Sequence, residues 1–197
     1  IDCLSKVYPP ISRVGYTLFF TGFSGSGKST LARMMEAKLI EDDPRPVTLL
    51  DGDIVRQHLS SELGFSRPHR DLNIRRIGFV ANEISKNGGV AICAPIAPYR
   101  IVRREVRSLI EQYGVFVEIH LSTPLLVCEG RDRKGLYAKA RAGEIPDFTG
   151  ISDPYEIPEK AEIVIDTSTS TKADSCSEIL SYLLARGLVQ TGANRYK

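Results

Sequence analysis

No two cysteines in this chain have the spacing of a metal or redox motif. Cys3, Cys93, Cys128 and Cys176 are scattered without a CxxC, and no His/Cys cluster has ligand spacing. Structural zinc and dithiol chemistry are therefore excluded, and reduced thiols in a cytoplasmic protein are expected. Charge of one sign is also missing. The formal net charge is +2, too weak to argue for a nucleic-acid partner. No apolar run approaches the length of a membrane span, and no signal-peptide pattern opens the chain. Internal repeats and low-complexity segments are absent too. The first residue is Ile1 rather than Met, and the expectation is a trimmed chain or a piece of something longer.

What is present suits one domain. The 197 residues are 42% hydrophobic, enough for a sizeable core, and 25% charged, which speaks against disorder. Strand-like and helix-like segments alternate. Strands are expected at 16–21, 47–51, 90–94, 115–121 and 162–167. Helices are expected at 29–40, from Ile54 to near Gly64, at 72–89, at 100–114, after Thr123 as N-cap with Pro124 at the first position, and from Ala173 onward. This alternation predicts an α/β fold of the P-loop NTPase type, a parallel sheet of about five strands with helices on both faces. The segment 132–160 holds no strand and is rich in charge, glycine and proline. A segment of that length in a compact domain is usually functional, and a lid is expected.

The strongest local signal is FTGFSGSGKSTLA, residues 20–32. Gly22, Gly27, Lys28 and Ser29 fit G-x-x-x-x-G-K-[ST], with a strand before and a helix after. Ser24, Gly25, Ser26 and Thr30 complete the loop and the helix start. Such a loop turns successive backbone N–H groups toward one concavity, and the helix adds its positive end. Lys28 then reaches the β/γ-phosphates of ATP, and Ser29 offers a hydroxyl to Mg²⁺, the only metal expected. The motif does not name the acceptor. A GTPase would need a base-reading motif; TKAD (171–174) has the letters, but no D-x-x-G follows an early strand. Asp174 reads instead as a helix N-cap. DGD, residues 51–53, ends the second strand, where ligands of an open parallel sheet sit. Asp51 and Asp53 fit metal or proton chemistry there, and equally ordinary turn chemistry. Arg100, Arg103, Arg104 and Arg107 form a stripe at helical spacing and read as a solvated or subunit-facing surface. His58 and His120 read as incidental, and His69 as shaping its neighbours.

Several longer pieces carry a family resemblance. GFSGSGKST, DGDIVR, LGFS, RDLNIRRIGFVA, APYR and CEGRDRKGLYAKARAGEIPDFTGISDPYE occur in order over residues 20 to about 167. Together they resemble adenylylsulfate kinase, which transfers the γ-phosphoryl of MgATP to the 3′-hydroxyl of adenosine 5′-phosphosulfate (APS), giving PAPS and ADP. The resemblance implies that Asp53 is the base or orienting group and that Asp51 and Ser29 lie at the metal. It implies that Arg56, Arg70 and Asn73 hold the phosphosulfate and ribose. Phe65 and Phe148 would sandwich the substrate adenine, with the backbone of Ile96 and Ala97 beside it. Lys134 would reach in from the lid, and Arg131 and Ser170 would border the ATP adenine. Two guanidiniums suit a phosphosulfate anion, because arginine presents a planar fork of donors. The resemblance further implies a homo-oligomer. The opening VYPPISRVGYTLFF is similar to the join that precedes this kinase in bacterial fusions with ATP sulfurylase, so residues 1–15 read as a linker-like segment. One departure stands out. Many members have serine where this chain has Ala97, and that serine is associated with a phosphorylated enzyme form in some of them. An alanine methyl accepts no phosphoryl group, so direct transfer in a ternary complex is expected.

Overall fold

The computed structural model describes residues 14–189. Cys3 and nearly all of the linker-like segment lie outside the described residues. The sheet has five parallel strands in the order β2-β3-β1-β4-β5: β1 (Tyr16–Gly22), β2 (Val47–Asp51), β3 (Val90–Ala94), β4 (Val115–Leu121) and β5 (Ile163–Ile165). The helices are α1 (Lys28–Asp42), α2 (Gly52–His58), α3 (Arg67–Lys86), α4 (Arg100–Ile110), α5 (Leu125–Arg131), α6 (Leu136–Arg141) and α7 (Lys172–Ala185).

β1 is buried along its whole length, as the central strand of a sheet covered on both faces must be. Its alternate residues serve two cores. Tyr16, Leu18 and Phe20 pack with Leu31, Met35 and Leu39 of α1 and with Ile179 and Leu183 of α7. Phe19 faces the other way, toward Ile74, Ile77 and Ala81 of α3 and Val102, Val106 and Ile110 of α4. The strand period and the helix period thus meet on each face. α3 and α4 approach closely at Gly78, where an added Cβ would fall 2.5 Å from a Val106 methyl.

Several element ends differ from the sequence expectation. α2 stops at His58 instead of near Gly64. Ser60 and Ser61 are weak helix formers, and Arg76 of α3 donates to the Leu59 carbonyl at 2.8 Å, ending the ladder. α3 starts at Arg67, five residues early, with Pro68 in its first turn. Thr123 is not the N-cap of α5; Pro124 is. The Thr123 hydroxyl is drawn instead to Thr167, 2.9 Å away. Asp174 is not an N-cap either. Thr171 caps α7, its hydroxyl accepting from the Asp174 N–H and donating to the Asp174 carboxylate. The segment 132–160 holds α6, a helix the sequence reading did not place.

The arginine stripe is also corrected. Arg100 and Arg104 lie on the surface against Glu159. Arg103 is 3% exposed, however, and pairs with Glu118 at 2.8 Å. Arg107 takes both oxygens of Glu162. The stripe faces carboxylates of β4 and of the segment before β5, so half of it is interior.

Candidate active site

β1 ends at Gly22, and the chain turns through Phe23–Gly27 into α1. Gly25 and Gly27 have φ of 77° and 101°, values that side chains resist. A Cβ on Gly25 would also fall 2.8 Å from the Cys128 carbonyl oxygen. α1 has no side-chain cap, so its first-turn N–H groups face the concavity unmatched. Lys28 folds back over the loop, donating to the carbonyls of Gly22 (2.9 Å) and Phe23 (2.6 Å). Burial pulls its pKa from the ordinary 10.5 down to about 8, while Cys128, Asp53 and Asp51 act in the opposite direction. Ser26 is fully buried behind the loop, and its carbonyl accepts from the Thr167 hydroxyl at 2.9 Å.

One cleft of about 1170 Å³ runs past this loop. Ser24, Gly25, Gly27, Lys28, Ser29 and Thr30 line one end. Asp51, Asp53, Arg56, Phe65, Arg70, Asn73, Ile96, Ala97, Lys134 and Phe148 line the rest, with Arg131 and Ser170 also at its wall. Of the binding and catalytic residues expected from the sequence, only Gly22 and Ser26 sit behind the lining.

Asp51 closes β2 and caps α2, accepting from the Asp53 N–H at 3.0 Å. It is therefore both a turn residue and a wall of the cleft, so the two readings of DGD are compatible. Asp53 stands exposed two residues on and forms an ion pair with Lys134, which reaches over from the segment before α6. The Arg56 guanidinium lies over the Phe65 ring at 4.5 Å and donates to the carbonyls of Leu63 and Gly64. Arg70 contacts Thr149 (2.9 Å), Tyr99 (2.8 Å) and Asp153 (3.0 Å), and its Nε is buried without a partner. Asn73 is buried, and its Oδ1 also lacks a partner. An orphaned acceptor in a cleft wall is an invitation to a ligand donor. Phe148 meets the Tyr137 ring edge-on at 5.0 Å. His69 does shape its surroundings, its Nδ1 accepting from the Gly64 N–H at 2.9 Å.

Arg131 bridges the phosphate loop and the end of β5, donating to Thr167 Oγ1 (2.8 Å), the Thr167 carbonyl (2.8 Å) and the Gly25 carbonyl (3.2 Å). Sequence reasoning missed Thr167, although its position just past a parallel strand was a signal. It also missed Tyr99, Thr149 and Asp153, which fix Arg70; only the Asp-Pro-Tyr sequence hinted at a specific turn. Among the described residues no three His, Cys, Asp or Glu side chains gather for a metal. The donors at hand are Ser29 and Asp51. That set fits Mg²⁺, which keeps water and phosphate oxygens and needs only one or two protein groups.

A sulfate adenylyltransferase of Phaeosphaeria nodorum is 48% identical over 189 residues, 96% of this chain but 33% of that protein. The chain thus spans about a third of the length of such relatives. An adenylyl-sulfate kinase of Halothermothrix orenii is 49% identical over 175 residues, 89% of this chain and 92% of its own. An APS kinase of Mycobacterium tuberculosis, solved in complex with AMPPNP and APS, superposes with a TM-score of 0.83 at 39% identity, covering 89% of this chain and 99% of that one. A hexameric APS kinase from Thiobacillus denitrificans gives 0.74 at 50% identity, covering 95% of this chain and 32% of that one. The family model described as adenylylsulphate kinase matches residues 14–166, and the chain belongs to that family.

Proposed function

We propose that this chain transfers the γ-phosphoryl of ATP to the 3′-hydroxyl of adenosine 5′-phosphosulfate, giving PAPS and ADP. The observation that carries this reading is one cleft that joins a buried P-loop lysine to Asp53, two arginines, Asn73 and two phenylalanines. The loop amides and Lys28 hold the phosphates where charge builds in the transition state. Asp53 orients the 3′-hydroxyl and takes its proton. Arg56 and Arg70 suit the phosphosulfate, and the rings of Phe65 and Phe148 at the cleft wall suit an adenine ring. Ser29 and the Asp51 carboxylate would hold Mg²⁺, which would supply charge neutralisation at the phosphates. The 132–160 segment closes on Asp53 through Lys134 and keeps water from the phosphoryl group.

A second reading is favoured by the likeness to one third of a sulfate adenylyltransferase. The chain would then be a non-catalytic part that binds APS or PAPS and regulates a fused sulfurylase. Intact Lys28, Ser29 and Asp53 speak against it, whereas fusion itself is part of the proposal. So are a homo-oligomer, in keeping with the hexameric relative, and a cytoplasmic location. The test is ADP release with MgATP and either APS, other nucleotides or small alcohols. Turnover is expected with APS; binding of APS without turnover would favour the regulatory reading.

A further inference from the structure

The loop between β3 and α4 has a backbone conformation that alanine avoids. Ala97 has φ of 47°, in the left-handed region where Cβ crowds the following carbonyl. Such a residue persists only where its surroundings over-determine it. Here both neighbouring carbonyls are gripped. The Ile96 carbonyl accepts from the Gly22 N–H at 3.3 Å and lies 2.7 Å from the Thr21 hydroxyl. The Ala97 carbonyl is 3.2 Å from the same hydroxyl and accepts from Arg103 Nη1 at 2.7 Å.

Arg103 lies outside the cleft lining. Each of its three nitrogens has a separate task. Nη1 takes Ala97, Nη2 donates to the Glu156 carbonyl at 2.6 Å, and Nε pairs with Glu118 of β4 at 2.8 Å. The guanidinium is buried, with its Cζ 5.8 Å from the centre of the Tyr155 ring. It therefore ties the β3–α4 loop to the sheet and to the C-terminal part of the 132–160 segment. A lysine has one compact ammonium and no fork, so it cannot hold the Ala97 and Glu156 carbonyls from two separate nitrogens while pairing with Glu118.

We propose that Arg103 is a positioning residue for the substrate end of the cleft: it holds Ala97 in its left-handed conformation and so keeps the Ile96–Ala97 backbone facing the acceptor nucleotide. The proposal rests on the APS reading of that end. Freed from Arg103, Ala97 falls back to an ordinary φ, and the peptide that lines the cleft rotates away.

Arg103→Lys keeps a cation beside Glu118 and removes the fork. It should raise the KM for APS about tenfold, the scale of a left-handed alanine penalty, with a much smaller change in the KM for ATP or in kcat. Glycine accepts positive φ freely, so in the Ala97→Gly background the same Arg103→Lys change should raise the KM for APS by distinctly less. Equal KM ratios in the two backgrounds, with only a fall in thermal midpoint, would mean that Arg103 is merely structural and would overturn the proposal. Should Arg103→Lys fail to fold, Arg103→Met with Glu118→Gln removes both charges together and is read the same way. Hydrogen exchange at Gly22 and Glu156, whose N–H groups donate to the Ile96 and Pro98 carbonyls of this loop, tests the clamp in the ligand-free protein without any substrate. It should speed up about tenfold on loss of the clamp, by the same left-handed penalty. Unchanged exchange overturns the clamp whatever the acceptor is. Absence of wild-type turnover with APS, by contrast, overturns the functional reading and leaves the exchange result to decide the clamp.

Discussion

The two ends of the cleft are assembled by different means. At the phosphate end Lys28 is 8% exposed and bonded to two carbonyls, and it follows three glycines whose backbone φ side chains resist. At the acceptor end Asp53 and Lys134 meet with side chains 71% and 58% exposed, and Phe65 is 63% exposed. An ion pair so wet contributes little to stability, so opening it is easy. The phosphate end is built from buried, mutually bonded groups, which favours electrostatic catalysis. The acceptor end completes itself around its ligand, which favours recognition and controlled closure.

The largest effect should come from breaking the organised end. Lys28→Ala removes the cation aimed at the transferring phosphoryl and should cut kcat by about 10²–10³-fold or more, the scale of losing one preorganised donor. Steady-state ADP release on a variant with wild-type thermal stability checks this; near-normal turnover would mean the loop does not carry the chemistry. Asp53→Asn addresses the looser end. It keeps the shape and removes the carboxylate, and it should lower kcat by about 10²-fold, the low end for a general base, while the KM for APS moves less. If the KM alone rose, Asp53 would be a binding group, and the contrast between the two ends would sharpen. The smallest effect is a proton. Free Lys28 titrates at about 8, below the ordinary 10.5, because burial disfavours its charge. Bound phosphates restore that charge, so nucleotide binding near pH 8–9 should take up a fraction of a proton, and at pH 7 almost none. Calorimetry in buffers of different ionisation enthalpy measures it. The sign for stability follows: between about 8 and 10.5 the unfolded chain holds more protons at this site, so its contribution grows more favourable as pH rises there.

The same contrast governs what could be read from the sequence. The phosphate loop is local: a glycine pattern between a strand and a helix is legible because its geometry is built within a dozen residues. Asp53 and Asn73 were legible through the motif pieces that hold them. Arg103 was not. Helical spacing places it on one face with Arg100, Arg104 and Arg107, and nothing local says that this face meets Glu118 on β4 and Glu162 beside β5. Thr123 carried a correct helix-start pattern, yet Thr167 won its hydroxyl from across the fold. The end of α2 was likewise decided by Arg76 of another helix. In these three cases a long-range partner overrides a local preference.

The placement of β1 at the centre of the sheet bears on how the protein comes into being. Tyr16 pairs with Val90 on one side and with Val115 on the other, and Gly22 pairs with Leu121. On a ribosome β1 emerges first, and its neighbours arrive only after several helices have been made. Contacts so distant in sequence make assembly slow, because long loops must close before pairing returns anything. The wall behind the phosphate loop comes later still, since Thr167 follows β5. A nucleotide thus finds no finished cradle on the nascent chain, and ATP can stabilise this fold only after nearly all of it has been synthesised.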